Sequence, residues 1–590
     1  MLRNALVFGM AYISAIELEN FQSIERRTRF ELRPITLLFG PNSAGKSSLF
    51  DALELLQVLL DPTRFDEHQA AQMVHRWARR INDTEVSREM FLAIEYPFTF
   101  EDLDKVWADD SNWTGTMRRT KGPSFYINGE DEVAEHGLDR ASVRMELRLK
   151  VVGSGRQATH RLSEFRCLLN DHQLVNLGID PIVGRSSQSR RKELDGVNDW
   201  TRLLTVSNHF EFVNHALLSE LKKIKGKGTW NLLIEDPNSV DHVQAEVTSL
   251  SLSPLKLLPV SSYTSWTSKE LTERISRNAH DIIFYFGTLL FRSLRHAPGI
   301  VKSDRRTPNP HEALAVVDLG FRGWWSQNSF SPSSPASLLM SKATYHDEHF
   351  HGLAKLAHAD LITQLLANEN WVGGSAANQL ESVRSQAEIL NRINIHLEKH
   401  LFIESGYKIA CASTLLVPID LRETDPWAYY SLAQPAAVRL FLKDADNRSV
   451  EFEDVGSGVP FVLPILYVLA IHTLVRVQQP ELHLHPALQS TLADVFIREF
   501  NRAAHQQFII ETHSEHILLR LLRRLRESEH TKHSELSLSS KDLSIFYFDP
   551  IQGKGTEVSK LDVTPMGDFT RDWPRGFFEE RNEDLFYDWQ

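Results

Sequence analysis

Residues 34–60 read PITLLFGPNSAGKSSLFDALELLQVLL, and this stretch restricts the fold more than any other. A short apolar run, Ile35 to Phe39, meets Gly40. Gly40-x-x-x-x-Gly45-Lys46-Ser47 follows, and then Leu49, Leu53, Leu56 and Leu59 recur at helical spacing. Strand, glycine loop and helix in that order are the context a P-loop requires. Gly40 and Gly45 let backbone N–H groups curl around phosphate oxygens with no Cβ in the way. A helix starting near Lys46 would aim its positive dipole end at the same anion. Lys46 reaches the β- and γ-phosphates, and the Ser47 hydroxyl ligates Mg²⁺. Gly40, Asn42, Gly45, Lys46, Ser47 and Ser48 form the expected cofactor-binding loop, with ATP and Mg²⁺ as the expected cofactors.

The chain has 590 residues, 42% hydrophobic and 24% charged, with a net charge of −12. That is ordinary globular composition, long enough for two to four domains, and gives no global nucleic-acid signal. Cys167 and Cys411 are the two cysteines, which argues against a disulfide framework and fits a reducing cytosol. The opening MLRNALVFGMAYIS lacks a clear cleavage site, so no signal peptide is expected. One run, Val459 to Val475, is apolar enough to warrant a membrane test, but it holds Pro460, Pro464 and His472 and sits at the short limit for a span. It reads as a buried helix followed by a buried strand; no membrane partner and a cytoplasmic location are expected.

Four further stretches and a tail stand in order around the P-loop. Upstream, ISAIELENFQSIERRTRFELRPITLLFGPN alternates as strands around Asn20-Phe21. Downstream come EDVGSGVPFVLPIL (Glu453 to Leu466), VRVQQPELHLHP (475–486) and FIIETHSEHILLRLLRRL (508–525), with a tail DFTRDWPRGFFEERNEDLF. Together these resemble the SMC-like ABC ATPases, in particular the OLD-like branch of bacterial AAA-family ATPases, over roughly residues 12–60 and 430–590. The resemblance implies an α/β fold: a P-loop NTPase with an ABC-type ATPase head and a large, mostly helical insertion. It implies ATP sandwiched between two heads, one supplying Lys46 and Ser47, the other the signature segment Gly456, Ser457 and Gly458 at a helix N-terminus. The position of the usual signature serine falls on Gly456, with Ser457 one place later. His513, after an apolar strand, would be the switch histidine that contacts the γ-phosphate.

The Walker B position is the anomaly. A strand end there should carry an acid for Mg²⁺ and a base to orient water. Aligning Pro480 with the proline of the ABC pattern puts Gln478 at the metal position and Gln479 at the base. An amide cannot take a proton from water and brings no negative charge. Three readings stay open: a natural site that binds ATP and hydrolyses it slowly or not at all; a site in which Glu481, His483 or His485 supplies the missing function; or a Glu→Gln change introduced at position 478 to trap ATP.

Elsewhere, residues 143–180 alternate as strands. RSSQSRRKELDG (185–196) and LKKIKGKGTW (221–230) are basic and expected to be exposed; TPNPHEA (307–313) and NSFSPSSPASL (328–338) read as loops. Glu270–Leu294 and Asp347–His400 carry helical patterns without sustained heptads. His346–His351 (HDEHFH) lacks the spacing of a closed zinc site. Arg292, Arg295, Lys302, Arg305 and Arg306, and separately Arg520, Arg523, Arg524 and Arg526, read as solvated or ion-paired faces, with a nucleic-acid surface as the alternative. Residues 514–590 are expected to be too short for the Toprim nuclease that some OLD-like relatives carry, and Glu579, Glu580, Glu583 and Asp584 to be a solvated acidic end. The expected layout is 1–90, the N-terminal part of the head; 91–260, remaining head strands plus insertion; 261–430, a mostly helical insertion; and 431–590, the part carrying signature, Walker B, switch histidine and tail. The expected function is an ATP-dependent dimer or higher oligomer of this chain. It would act as sensor or scaffold for a separate effector such as a nuclease in bacterial anti-phage defence. A non-hydrolysing assembly module and a DNA-maintenance ATPase are the rivals.

Overall fold

The computed structural model describes residues 13–61, 65–79, 89–98, 141–152, 159–169, 172–181, 202–207, 242–247, 251–254, 287, 290, 299–305, 348–367, 377–416, 434–502, 506–530 and 535–571. The basic stretches 185–196 and 221–230, the loops 307–313 and 328–338, most of Glu270–Leu294, His346, Arg292, Arg295, Arg306 and the residues after 571 lie outside these. The chain divides into two compact units. One comprises Met1–Ala297, Ser544–Asp562 and Arg571–Gln590; the other comprises Pro298–Leu543 and Val563–Thr570.

The first unit is built on β1 (Ala15–Glu19), β2 (Thr28–Glu31), β4 (Glu89–Phe98), β5 (Ala141–Val152), β6 (Thr159–Leu169), β7 (His172–Pro181), β8 (Arg202–Ser207) and β9 (His242–Val247). They form an antiparallel sheet of order β2-β1-β4-β5-β6-β7-β8-β9. Ile16, Leu18, Phe30, Leu92, Ile94, Met145 and Leu147 are buried, while Glu17, Arg29, Glu95, Arg144 and Glu146 stand at neighbouring positions of these strands. Glu17 shows how the charged side is held. Burial alone would raise its carboxyl, but hydrogen bonds from Arg144, Arg27 and Arg29 outweigh that and bring it to about 2.

In the same unit β3 (Ile35–Phe39) lies beside β16 (Leu543–Ile551), which pairs antiparallel with β17 (Gly555–Lys560). All five residues of β3 are buried, the mark of a central strand covered on both faces. Helix α1 (Ser48–Leu60) follows the glycine loop, with Leu49, Leu53, Leu56 and Leu59 in the core. It begins two residues later than the lysine because Lys46 and Ser47 belong to the loop and cap. Helix α2 (Glu67–Trp77) is capped by Asp66, whose carboxylate accepts from the N–H groups of His68 and Gln69.

The second unit contains the parallel strands β10 (Gly299–Val301), β14 (Leu474–Gln478) and β15 (Gln507–Glu511), adjacent in that order. It also contains the antiparallel set β11 (Lys408–Leu416), β12 (Gln434–Lys443) and β13 (Ser449–Val450). Its helices are α3 (Glu348–Ala367), α4 (Ala377–His396) with a short π-turn over Leu397–Leu401, α5 (Gly458–Ile471), α6 (Pro486–Arg502) and α7 (Glu515–His530). The apolar run tested above for a membrane span becomes α5 plus β14; nine of the fourteen residues of α5 are buried. Among the described residues no helix is long and apolar enough to cross a membrane.

Candidate functional site

The P-loop is shaped by steric necessity. Gly40 adopts φ +142, and a Cβ there would lie 2.4 Å from the Phe548 carbonyl oxygen on β16. Gly45 adopts φ +86, and its Cβ would lie 2.0 Å from Ser23 Oγ. Only glycine fits either position. Ser43 takes a left-handed φ of +62 between them, and Pro41, Asn42 and Ser43 are exposed at the loop tip. Ser23 belongs to the Asn20–Ile24 turn, where Asn20 and Gln22 also adopt positive φ. The Gln22 amide joins that turn to α1: its Oε1 accepts from Ser48 Oγ at 2.5 Å and its Nε2 donates to Asp51 Oδ2 at 2.6 Å. Thr556 Oγ1 on β17 donates to the Ala44 carbonyl at 2.8 Å. The loop is therefore braced from one side by a turn near the N-terminus and from the other by strands more than five hundred residues later.

Lys46 is 3% exposed, and its ammonium donates to the loop carbonyls of Gly40 (3.1 Å) and Pro41 (2.8 Å). Ser47 stands at the N-cap of α1 without a side-chain capping bond. A buried cation, a glycine cradle that any Cβ would fill and the N-terminus of a thirteen-residue helix make a donor set that fits a nucleoside triphosphate. Ser47 fits the hydroxyl position for Mg²⁺.

In the second unit, the segment expected as the signature, Gly456 to Gly458, sits at the N-terminus of α5. Gly456 and Ser457 are exposed, and a Cβ on Gly456 would meet nothing within 4 Å. Ser457 is the N-cap without a side-chain capping bond, so the helix end faces open space. Gly458 is the tight position: a Cβ there would come 3.1 Å from the His483 carbonyl oxygen. His483 adopts φ +60 and its ring lies 4.2 Å from that of Phe461 on α5. The loop after β14 thus packs directly on α5, and His483 and His485 are exposed there.

At the end of β14, Gln478 pairs with Glu511 of β15, and Gln479, at φ +46, donates its N–H to the Glu511 carbonyl at 2.7 Å. Glu481 uses both carboxylate oxygens: Oε2 accepts from Thr512 Oγ1 at 2.7 Å and Oε1 from the His513 N–H at 2.8 Å. Burial pushes its carboxyl up, opposed by those two bonds and by the charge of Arg305. Gln489 adds a second tie, accepting from Ser514 Oγ at 2.6 Å and donating to the Leu484 carbonyl at 2.9 Å. The backbone that carries His513 is therefore fixed to the loop after β14.

Sequence reasoning placed Arg305 in a basic surface cluster. The structure places it in the interior, 8% exposed, with Nη2 donating to the Gln479 carbonyl at 2.6 Å and Nη1 to that of Gln478 at 3.5 Å. Burial pulls its guanidinium down to about 10, with Glu481 opposing. The other basic run is ion-paired: Arg524 and Arg520 meet Asp494 on α6, Arg523 meets Glu527, and Arg526 meets Asp568.

A phosphate cradle between a buried strand and a helix is that of a P-loop NTPase with mixed α/β sheets. A model of the "AAA ATPase domain" matches residues 11–247. A second, described as "AAA domain, putative AbiEii toxin, Type IV TA system", matches residues 346–519. No curated protein matches the chain. Among solved structures, the Smc head bound to the C-terminal winged-helix domain of ScpA is 12% identical, over 93% of this chain and 98% of that one, with a TM-score of 0.36. The Smc head with an extended coiled coil, bound to the C-terminal domain of ScpA and derived from Pyrococcus furiosus, is 12% identical over 98% and 99%, with a TM-score of 0.34. The SMC head domain from Thermotoga maritima is 9% identical over 94% and 99%, with a TM-score of 0.30.

Proposed function

We propose that the chain is an ATP-dependent assembly switch. Mg²⁺-ATP bound through Gly40, Asn42, Gly45, Lys46, Ser47 and Ser48 of one copy would be closed over by Gly456, Ser457 and Gly458 of another, giving a dimer or higher oligomer. The observation that carries this reading is the signature helix end. Its N–H groups, the Ser457 hydroxyl and a glycine with open space around it are exposed and have no capping partner among the described residues. Such an end is a ready anion site.

The same reading makes hydrolysis slow or absent. Gln478 and Gln479 carry no charge and cannot accept the proton of an attacking water. Glu481 spends its oxygens on Thr512 and His513, which suits a brace that sets His513 against the γ-phosphate better than a base. A role as sensor or scaffold for a separate effector such as a nuclease in bacterial anti-phage defence is supported by the OLD-like motifs. The matched family description that names a toxin of a type IV system agrees with it.

Size-exclusion chromatography with light scattering tests the switch. Addition of Mg²⁺-ATP shifts the wild type to a larger species. Lys46→Ala abolishes both nucleotide binding and the shift. Gly456→Glu, whose side chain enters open space and leaves the fold intact, retains ATP binding but does not assemble. Assembly by Gly456→Glu equal to the wild type, or turnover at rates usual for ABC heads, overturns the reading.

A further inference from the structure

Just after β14 the chain turns through two non-glycine residues in the left-handed region, Gln479 at φ +46 and His483 at φ +60. L-residues keep that conformation only where the surroundings hold them in it. The turn's own bonds are local: the Gln479 carbonyl accepts from the Leu482 N–H at 3.2 Å, and the Glu481 carbonyl from the Leu484 N–H at 3.0 Å. An external hold comes from Arg305, just past β10. Its buried guanidinium donates to the Gln479 carbonyl at 2.6 Å and to the Gln478 carbonyl at 3.5 Å. The carbonyl that closes the turn is thus also the one that Arg305 grips. The guanidinium carbon lies 5.9 Å from the ring centroid of Phe461 on α5, within reach of a cation–π contact. The turn has two far ends. At one, the Glu481 carboxylate holds Thr512 Oγ1 and the His513 N–H. At the other, His483 sets its ring 4.2 Å from Phe461 and its carbonyl against Gly458, where a Cβ would come within 3.1 Å. All of these residues belong to one compact unit.

We propose that Arg305 is a positioning residue for ATP-driven assembly: by gripping the Gln478 and Gln479 carbonyls it sets the 479–485 loop, and through Glu481 and His483 that loop sets His513 and the N-terminus of α5 together. The inference rests on the assembly reading above and adds to it a residue that lies in none of the sequence motifs. Arginine suits the task because the two carbonyls belong to consecutive residues. A planar guanidinium offers two directed donors at once, whereas a lysine brings a single point charge.

Two measurements on the full chain test it. Hydrogen–deuterium exchange without nucleotide reads the loop directly. Arg305→Met raises exchange at 479–485, 512–514 and 456–461 together and leaves β14 and β15 protected. Light scattering with Mg²⁺-ATP reads assembly. Arg305→Met needs about ten-fold more protein for half-assembly, with ATP affinity unchanged, and Arg305→Lys falls between it and the wild type. Glu481→Gln weakens assembly as well, and the double variant is no worse than the poorer single, because both changes act along one path. Where Arg305→Met folds poorly, Arg305→Lys carries both measurements. Exchange that rises at 479–485 alone or evenly through the unit, or losses that add in the double variant, overturns the assignment. A wild type that does not assemble with Mg²⁺-ATP overturns the parent reading and this one with it. A wild type that assembles beside an Arg305→Met that assembles equally well overturns this one alone.

Discussion

Replacing Gln478 by Glu should create a pH-dependent instability. Gln478 and Glu511 are register partners, and neighbouring strands lie about 4.8 Å apart. Two carboxylates held about 5 Å apart at an effective dielectric of about 20 repel by roughly 3 kcal/mol. That raises the folded-state pKa of one of them by about two units above its unfolded value. A carboxyl raised on folding contributes stability at low pH and loses it as pH climbs from the unfolded value toward the folded one. Relative to the wild type, the variant should therefore be about 3 kcal/mol less stable at pH 8, and about 1 kcal/mol less stable at pH 5. Arg305 beside the strand end trims both figures. Urea unfolding of both proteins at the two pH values, without nucleotide, measures this. Equal stability of variant and wild type at pH 8 in the absence of nucleotide would mean that the two side chains do not share a face, and the reasoning fails at its first step.

Gly45→Ala should cost roughly 2–4 kcal/mol, since it combines φ +86 with a Cβ 2.0 Å from Ser23 Oγ. Adding Ser23→Ala removes the nearer atom and should return part of the loss in thermal unfolding, whereas no recovery would point to the backbone alone. Glu499 on α6 should govern acid sensitivity: burial would raise its carboxyl, but bonds from His396 and Arg502 and the charges of Arg392 and Arg502 bring it to about 2. A carboxyl lowered on folding gives stability that is complete above its ordinary value of 4.5 and lost as pH falls toward 2. Glu499→Gln should thus remove about 3 kcal/mol at neutral pH and flatten the acid limb over that window, as followed by circular dichroism.

The local elements were legible because their rules are local. The run Ile35 to Phe39, the glycine spacing and the leucine period of α1 specify strand, loop and helix without reference to the rest of the chain. The alternation in residues 143–180 likewise announces β5 to β7. What could not be read is what the chain brings together from afar. Arg305 and Gln479 are separated by 174 residues, so a basic cluster in sequence gave no hint of an interior arginine. Arg524 finds Asp494 thirty residues earlier on another helix, which turns an apparent basic face into an ion-paired one. Glu511 left a signal that sequence reasoning passed over. LVRVQ and QFIIE are both five-residue, largely apolar strands, and laying their ends side by side pairs Gln478 with Glu511.

The bracing of the P-loop by β16 and β17 has a consequence for synthesis. Glu31 receives Ser544 Oγ through its carbonyl and Lys560 Nζ through its carboxylate; Ala44 receives Thr556. Phe30 packs on Phe546 and Phe548. On the ribosome the glycine loop emerges early, yet the strands that complete its surroundings follow some five hundred residues later, separations of 512 to 529 in these bonds. At about 5–20 residues per second, the nascent chain carries an unfinished nucleotide cradle for tens of seconds. ATP can thus act as a proofreader of completion: a chain halted short of β17 should not close its nucleotide site properly, and so should not enter an ATP-driven assembly with finished copies.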